Sequence, residues 1–320
     1  MSDAALLDRT LAIEVARVTE AAALAAYKLA GRGDEKAADQ AAVDAMRRVF
    51  DKLEIDGTVV IGEGERDEAP MLFIGEKVGT GRGPKVDIAL DPLEGTTLTA
   101  KSMPGAMAVV ALAVGGTMLH APDTYMDKIA IGGGYPEGVI DLDAEPGDNI
   151  NSLAKAKGVR ADQITCCILD RPRHEKIIAA VRKTGAAVRL ITDGDVAGVI
   201  DTAEPHTGVD IYIGQGGAPE GVLAAAALRC IGGQMQGRLV FKTDDERLRA
   251  ERIGLKDLDR KYRTIELASG DVIFASTGVT TGSMLSGVID THHHLTTETI
   301  VMRASTGTVR WIKTRHAKHA

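Results

Sequence analysis

A chain of 320 residues with 44% hydrophobic residues is long enough for one large domain or two closely packed ones. We expect it to fold without disulfide bonds. Its formal net charge of -7 argues against a nonspecific nucleic-acid surface, which needs a clustered positive field. Its three cysteines have no zinc or disulfide spacing, and no segment resembles a signal peptide or a membrane span. We therefore expect a cytoplasmic protein with buried thiols.

The first part of the chain predicts two helices followed by two buried strands. Residues 6–30 have helix-forming composition and end at Gly31, and Asp34 can cap a second helix. The apolar runs 58–61 and 86–90 have the β-branched character of buried strands. Helices and strands in this order indicate an α/β protein.

Residues 91–97, Asp-Pro-Leu-Glu-Gly-Thr-Thr, directly follow the second of these strands. Asp91 should close the strand and Pro92 should stop its hydrogen-bond ladder. Gly95 permits a tight turn, and a short helix is expected from Thr96 to Lys101. The free N–H groups at the start of that helix could hold a phosphate oxygen beside bound cations, although a capped turn is the alternative reading.

A β-hairpin is predicted next, with strands over 106–114 and 117–120 around Gly115 and Gly116. The later half alternates strands over 164–169, 188–191 and 209–213 with helices, which is typical of a parallel βαβ layer. We place a boundary near residues 149–158, where an acidic, proline-containing segment precedes this change of pattern. We therefore expect two halves, residues 1–150 and 151–320.

Several acids follow strand ends or occupy helix starts, where ligands often gather in layered α/β proteins. They are all oxygen donors, a set that selects Mg²⁺ or Mn²⁺ over zinc. Solvated helix faces, exposed turns and helix-dipole stabilisation are the alternatives, and Glu65 beside Arg66 fits a surface position better. The candidate metal ligands are Asp39, Glu63, Asp91, Glu94 and Glu220.

Six motifs in order make the chain resemble class II bacterial fructose-1,6-bisphosphatases, within the superfamily that also holds inositol monophosphatases. The resemblance extends from about residue 11 to residue 310. The motifs are Gly31-Arg32-Gly33-Asp34, Ile61-Gly62-Glu63-Gly64-Glu65, Asp91-Pro92-Leu93-Glu94-Gly95-Thr96, Arg171-Pro172-Arg173-His174, Asp193-Gly194-Asp195 and Gly216-Gly217-Ala218-Pro219-Glu220-Gly221.

This resemblance implies a layered α/β/α/β/α sandwich, with a mixed sheet in the N-terminal half and a mostly parallel sheet in the C-terminal half. The N-terminal half would bind metal and phosphate and the C-terminal half the sugar phosphate. It implies catalytic roles for Thr96 and Glu63, and metal ligation by the five acids named above. It further implies substrate contacts by Glu94, Gly95, Thr96, Tyr125, Arg171, Arg173, Asp193, Asp195 and Gly217.

The implied activity is Mn²⁺- or Mg²⁺-dependent hydrolysis of the 1-phosphate of fructose 1,6-bisphosphate, in gluconeogenesis or sugar-phosphate metabolism. Sedoheptulose 1,7-bisphosphate is the nearest rival substrate, because one extra hydroxymethylene is a small difference for an open polar pocket. A non-catalytic sugar-phosphate sensor is the rival from another class. The expected partner is a small sugar bisphosphate, with no nucleic acid or membrane, and a homo-oligomer is expected because oligomers are common in the family.

Overall fold

The structure, a computed structural model, describes Leu7 and residues 9–64 and 71–318. By its contacts the chain forms two compact units, Met1–Leu119 together with Ala268–Ala320, and His120–Leu267. Each unit contains one mixed β-sheet, so the predicted α/β class is confirmed. Within the described residues, no helix has both the length and the apolar character to span a bilayer.

The first unit combines helices with an eight-stranded sheet in the order β12-β13-β11-β4-β3-β1-β2, with β14 paired to β13. Strands β1 and β3 are parallel, and the other pairs are antiparallel. Helix α1 contacts β11 and β13, and α2 contacts α1 and β3. The elements are α1 (Leu11–Tyr27), α2 (Glu35–Phe50), β1 (Asp56–Ile61), β2 (Lys77–Val78), β3 (Lys85–Glu94), α3 (Thr96–Ala100), β4 (Met107–Val114), β11 (Val272–Gly278), β12 (Ile289–Asp290), β13 (His294–Arg303) and β14 (Thr308–Ala317).

The second unit is built on a six-stranded sheet in the order β10-β9-β5-β8-β6-β7. Four short 3-10 turns accompany its elements, including Pro172–His174 before α5. The elements are β5 (Tyr125–Ile131), α4 (Pro146–Lys157), β6 (Thr165–Leu169), α5 (Glu175–Lys183), β7 (Ala187–Ile191), α6 (Asp195–Ile200), β8 (Ile211–Gly217), α7 (Ala218–Ile231), β9 (Gln234–Val240), α8 (Asp244–Arg252), β10 (Tyr262–Arg263) and α9 (Thr264–Leu267).

The helix starts agree with the cap residues in the sequence. The Asp34 side chain accepts a hydrogen bond of 2.9 Å from the N–H of Ala37 and so caps α2 as predicted. The first helix ends at Tyr27, short of the predicted Ala30, because the chain continues as turns before Gly31. Its predicted start at Leu6 lies outside the described residues.

Strand β3 does not end at Pro92 as predicted. It continues to Glu94, with a register shift between Asp91 and Glu94, and Glu94 pairs with Met107 of β4. A bulge absorbs the missing N–H of proline, so the ladder resumes instead of stopping.

The predicted hairpin at Gly115 and Gly116 is wrong. Residues 117–120 form no strand, and Met118 makes a single bridge to Ala268. The Oδ2 atom of Asp87 accepts the N–H groups of Gly116, Thr117 and Met118 at 2.8, 2.9 and 3.2 Å, which fixes the turn without a returning strand. The partners of β4 in the sheet are instead β3 and β11.

Two expectations about the later half also differ from the structure. Its sheet is mixed, because β6 is parallel to β7 and β8 while β5 is antiparallel to β8 and β9. The boundary expected at 149–158 falls on helix α4, inside the second unit. The change of sequence pattern at 149–158 marks the start of the βαβ layer. The two units instead divide after residues 119 and 267, where successive strands along the chain belong to different sheets.

Candidate active site

An acidic cluster in the first unit joins Asp39 of α2, Glu63 after β1 and Asp91 of β3. Since β1 and β3 are parallel neighbours, their carboxyl ends lie at one edge of the sheet. Burial raises the pKa of Asp39 to about 6, with a further increase from the charge of Asp91 and an opposing hydrogen bond to Glu63. Burial also raises the pKa of Glu63 to about 9, helped by the charges of Asp39 and Asp91. The three carboxyl groups therefore repel one another across a short distance.

Repelling carboxylates in a partly buried place suit a divalent cation in charge and in donor type. Within Leu7, 9–64 and 71–318, however, no three histidine, cysteine, aspartate or glutamate side chains are already arranged to hold a metal ion. The metal-ligand set therefore stays a prediction. Glu65 of the same glycine-rich loop lies outside the described residues.

The turn from β3 to α3 lies directly beside this cluster in the sequence. Gly95 has a φ of +87°, and α3 begins at Thr96, as the sequence predicts. Asp91 Oδ1 accepts the N–H of Leu93 at 3.0 Å, which fixes the bulge before the turn. Glu94 is buried and Thr96 is partly exposed. The hydroxyl of Thr96 is thus placed at the start of a defined helix.

The glycine motif before α2 is tied to the end of α3. The N–H of Gly31 donates to Thr99 O at 2.9 Å, and the N–H of Gly33 donates to Ala100 O at 3.0 Å. Both glycines have positive φ, which ordinary side chains rarely adopt. This pair of hydrogen bonds joins the helix that carries Asp39 to the helix that carries Thr96.

In the second unit, Asp195 begins α6 after Gly194, whose φ is +80°. Its Oδ2 atom accepts from Lys128 Nζ at 2.5 Å and from Tyr212 OH at 3.3 Å. A Cβ at Gly216 would overlap this carboxylate, which explains the glycine there. Asp193, which the resemblance also assigns to the substrate, accepts from the N–H of Gly194 at 3.1 Å.

Arg173 and His174 both bind the peptide of Gln215. The Nε and Nη2 atoms of Arg173 donate to Gln215 O at 3.2 and 2.7 Å. The Nε2 atom of His174 accepts the N–H of Gln215 at 2.9 Å, so its Nδ1 carries the proton and donates to Leu169 O at 2.7 Å. Arg171, partly exposed, donates to Asp170 O at 3.1 Å.

Tyr125 opens β5, and cations lie over its ring. The Cζ atom of Arg173 is 5.2 Å and the Nζ atom of Lys242 is 3.5 Å from the ring centroid. Opposite Tyr125 in β8 is Gly217, where a Cβ would overlap the carboxylate of Glu220. Glu220 lies in the first turn of α7, and its metal-binding role stays a prediction.

Two residues of these networks were missed by sequence reasoning. Lys128 occupies a buried position of β5, and a lysine in the inward register of a strand signals a buried ion pair. Lys242 follows β9 in a polar segment, where no sequence pattern distinguishes it from a solvated surface lysine.

Comparisons with known proteins identify the family. The family model described as "Bacterial fructose-1,6-bisphosphatase, glpX-encoded" matches residues 9–316. The chain is 48% identical over 323 aligned residues to "Fructose-1,6-bisphosphatase 1 class 2" of Escherichia coli (strain K12), covering 96% of this chain and 95% of that protein. The Shigella flexneri protein "Fructose-1,6-bisphosphatase class 2" matches at the same identity and coverage.

A solved structure of inositol monophosphatase from Anabaena (Nostoc) sp. PCC 7120 matches at 16% identity and a TM-score of 0.38, over 69% of this chain and 80% of that one. This likeness is too loose to bear on the activity. The sequence matches instead make the chain a member of a phosphatase family. It belongs to the family of bacterial class 2 fructose-1,6-bisphosphatases.

Proposed function

We propose that this chain hydrolyses the 1-phosphate of fructose 1,6-bisphosphate, consuming one water and giving fructose 6-phosphate and inorganic phosphate. The observation that carries the proposal is the 48% identity to a named fructose-1,6-bisphosphatase over 96% of the chain. The cluster of Asp39, Glu63 and Asp91 supports it, because metal-assisted phosphate hydrolysis needs grouped oxygen ligands, and the tight turn at Gly95 directly follows Asp91 in sequence.

Enzymes of this family generally depend on a divalent metal ion. We propose Mn²⁺ or Mg²⁺, held by Asp39, Glu63, Asp91 and Glu94, with Glu220 as a further ligand by resemblance. A bound cation of this kind lowers the pKa of a coordinated water and neutralises phosphoryl oxygens. What supports the assignment is the all-oxygen donor set and the mutual repulsion of three of its members.

The chain's own groups would position the reactants. Thr96, at the start of α3, would orient the attacking water with its hydroxyl, and Glu63 would share that role. With the cation bound, Glu63 would be a carboxylate, and a carboxylate beside the attacking water can accept its proton. Gly95 and the backbone that follows it would contact the phosphate.

The second unit would supply the sugar-phosphate contacts. Arginine side chains suit the phosphate that is not cleaved, and carboxylates suit the sugar hydroxyl groups. What supports these roles is that Arg173 and Asp195 are each held in place by defined hydrogen bonds. The residues proposed for this part are Tyr125, Arg171, Arg173, Asp193, Asp195 and Gly217.

We also propose that the enzyme works in the cytoplasm as a homo-oligomer. Cys166, Cys167 and Cys230 are buried and form no disulfide within the described structure, which supports a reducing compartment. Light scattering of the purified protein would give the subunit number.

The decisive experiment is phosphate release from fructose 1,6-bisphosphate by the purified protein with Mn²⁺, with Mg²⁺ and with a chelator. Parallel arms use sedoheptulose 1,7-bisphosphate and the variant Asp91→Asn. A matched control is Asp44→Asn, which removes an acid from α2 whose carboxylate accepts, among the described residues, from Gln40 Nε2 at 2.8 Å on the same helix.

Metal-dependent release that disappears in Asp91→Asn and persists in Asp44→Asn supports the proposal. A clear preference for the seven-carbon substrate would move the protein to the rival bisphosphatase. Absence of turnover with any metal would refute the proposed hydrolysis and favour a non-catalytic sugar-phosphate sensor.

A further inference from the structure

Two cations converge on the single aromatic ring of Tyr125. Arg173 approaches from the turn after β6 and Lys242 from the segment after β9, at 5.2 and 3.5 Å from the ring centroid. Like charges this close to one ring repel, while each cation–π contact at an exposed site contributes only about 0.5–1 kcal/mol. The arrangement therefore leaves a local excess of positive charge.

No carboxylate of the described ranges forms an ion pair with either cation. The nearby acid Glu246 is engaged elsewhere, because its Oε2 accepts the backbone N–H of Lys242 at 2.5 Å and the hydroxyl of Thr124 at 3.3 Å. In a chain whose net charge is -7, two cations without acid partners on one ring mark a place that attracts an anion.

Both cations are anchored through their backbone or through part of the side chain. Arg173 donates two of its five N–H hydrogens to Gln215 O, and this contact does not use the other three. Lys242 is held at its backbone by Glu246, and Thr243 caps α8 immediately after it. The guanidinium of Arg173 is thus fixed by its own hydrogen bonds, whereas the ammonium of Lys242 is placed by its contact with the Tyr125 ring.

We propose that Lys242 binds the phosphate of the sugar bisphosphate that is not cleaved, together with Arg173, and so sets the preference for a bisphosphate. This inference rests on the proposed function. A phosphate dianion offers oxygens in several directions, which suits a guanidinium fork on one side of Tyr125 and a compact ammonium on the other. Lys242 is then a specificity residue, distant in sequence from the motifs that carry the family resemblance.

The test compares Lys242→Gln with Lys242→Arg and Lys155→Gln in the metal-loaded full-length enzyme. Lys155 is an exposed lysine in the last turn of α4 and makes no ion pair with any other described residue, so its substitution removes the same charge elsewhere in this unit. The readouts are kcat and KM for fructose 1,6-bisphosphate, the inhibition constant of the product fructose 6-phosphate, and the thermal midpoint.

In Lys242→Gln we expect KM and the fructose 6-phosphate inhibition constant each to rise about tenfold, corresponding to about 1.4 kcal/mol of lost binding, with kcat within about twofold. Lys242→Arg should keep most of both affinities, and Lys155→Gln should match the wild type. The thermal midpoint should fall by at most a few degrees, because only a cation–π contact worth about 0.5–1 kcal/mol is lost and the anchoring hydrogen bond of Lys242 comes from its backbone.

Unchanged KM and unchanged product inhibition in Lys242→Gln would overturn the inference even if the wild type is a good bisphosphatase. Equal losses in Lys155→Gln would also overturn it, since the effect would then be one of overall charge. A wild type that releases no phosphate from fructose 1,6-bisphosphate would instead refute the proposed function, so the two failures are distinguishable.

Discussion

Lys128 Nζ lies 2.5 Å from Asp195 Oδ2, and the side chains of these two residues are only 1% and 6% exposed. The same ammonium donates to Gly217 O at 2.8 Å, and the Tyr212 hydroxyl donates to the same carboxylate oxygen. The side chain of Asp195 is therefore held in place by a lysine that also binds the end of strand β8. A residue proposed to contact the sugar thus depends on a buried cation in a different strand.

Lys128→Met should destabilise the protein by about 3–5 kcal/mol, because removing the cation leaves a buried carboxylate uncompensated. Urea unfolding gives this free energy. The double variant Lys128→Met with Asp195→Asn removes both charges and should recover most of the loss. Because the double variant also replaces Asp195, which is proposed to contact the sugar, KM should stay raised although the stability returns. Recovery of both quantities together would contradict the proposed contact of Asp195 with the substrate.

Gly216→Ala tests the space around the same carboxylate. A Cβ at this position would overlap Asp195 Oδ2 and come within 3.0 Å of Lys128 Nζ, so the ion pair must move. We expect a destabilisation of about 1–3 kcal/mol from this overpacking, and at least a tenfold rise in KM. The control is Gly147→Ala in α4, where the nearest atom is a Thr184 methyl at 3.3 Å. That variant should be neutral or more stable by up to about 1 kcal/mol, with unchanged kinetics.

Asp87→Ala should cost about 2–4 kcal/mol, because three backbone N–H groups of the turn after β4 lose their shared acceptor. Asp56→Ala is the matched control, since its carboxylate makes an exposed contact of 3.4 Å with Lys77, worth about 0–1 kcal/mol. Chemical denaturation of both variants provides the comparison. Equal costs would show that the turn does not depend on Asp87.

His174 should make stability fall on mild acidification. Burial lowers its pKa in the folded protein, and the nearby charge of Arg173 lowers it further, against the opposing hydrogen bond to Leu169. In the unfolded chain the imidazole titrates near its ordinary value of about 6.5. The unfolded state therefore binds more protons between these two pKa values, so the contribution of His174 is complete above about pH 6.5 and is lost as the pH falls below it.

The measurement is the free energy of unfolding between pH 5 and pH 7.5 for the wild type, His174→Asn and His120→Asn. Relative to the wild type, His174→Asn should lose a component of the slope that raises stability with pH, whereas His120→Asn should keep it, because His120 is exposed. Equal slopes in the wild type and His174→Asn would show that His174 does not contribute to the pH dependence.

Local sequence signals predicted much of this structure. Three features follow from local sequence preferences, and each is present. They are the cap at Asp34, the start of α3 at Thr96 and the alternation of strands and helices from β6 to α7. The closeness of Glu63 and Asp91 agrees with their places after strand ends, because the carboxyl ends of parallel neighbours share an edge, whereas Asp39 approaches them from α2, which the strand pattern does not specify.

Long-range pairing was not predictable in the same way. The apolar run of β4 identifies a strand but not its partner, and β11 lies far along the chain. The turn at Gly115 and Gly116 has hairpin composition, yet Asp87 supplies the acceptor that a hairpin strand would have supplied. Lys242 and Tyr125 meet only because β5 and β9 are neighbours, which single-sequence patterns do not specify.

The pairing of β4 with β11 also bears on how the chain matures during synthesis. The second unit is continuous in sequence, so all its strands leave the ribosome before β11 does. The first unit must meanwhile keep the apolar edge of β4 without its neighbour, from Val114 until Val272 arrives. A nascent chain that has emerged only as far as α9 would thus carry a complete second unit after an open sheet that lacks β11, and the unpaired edge of β4 is where a chaperone would be needed most.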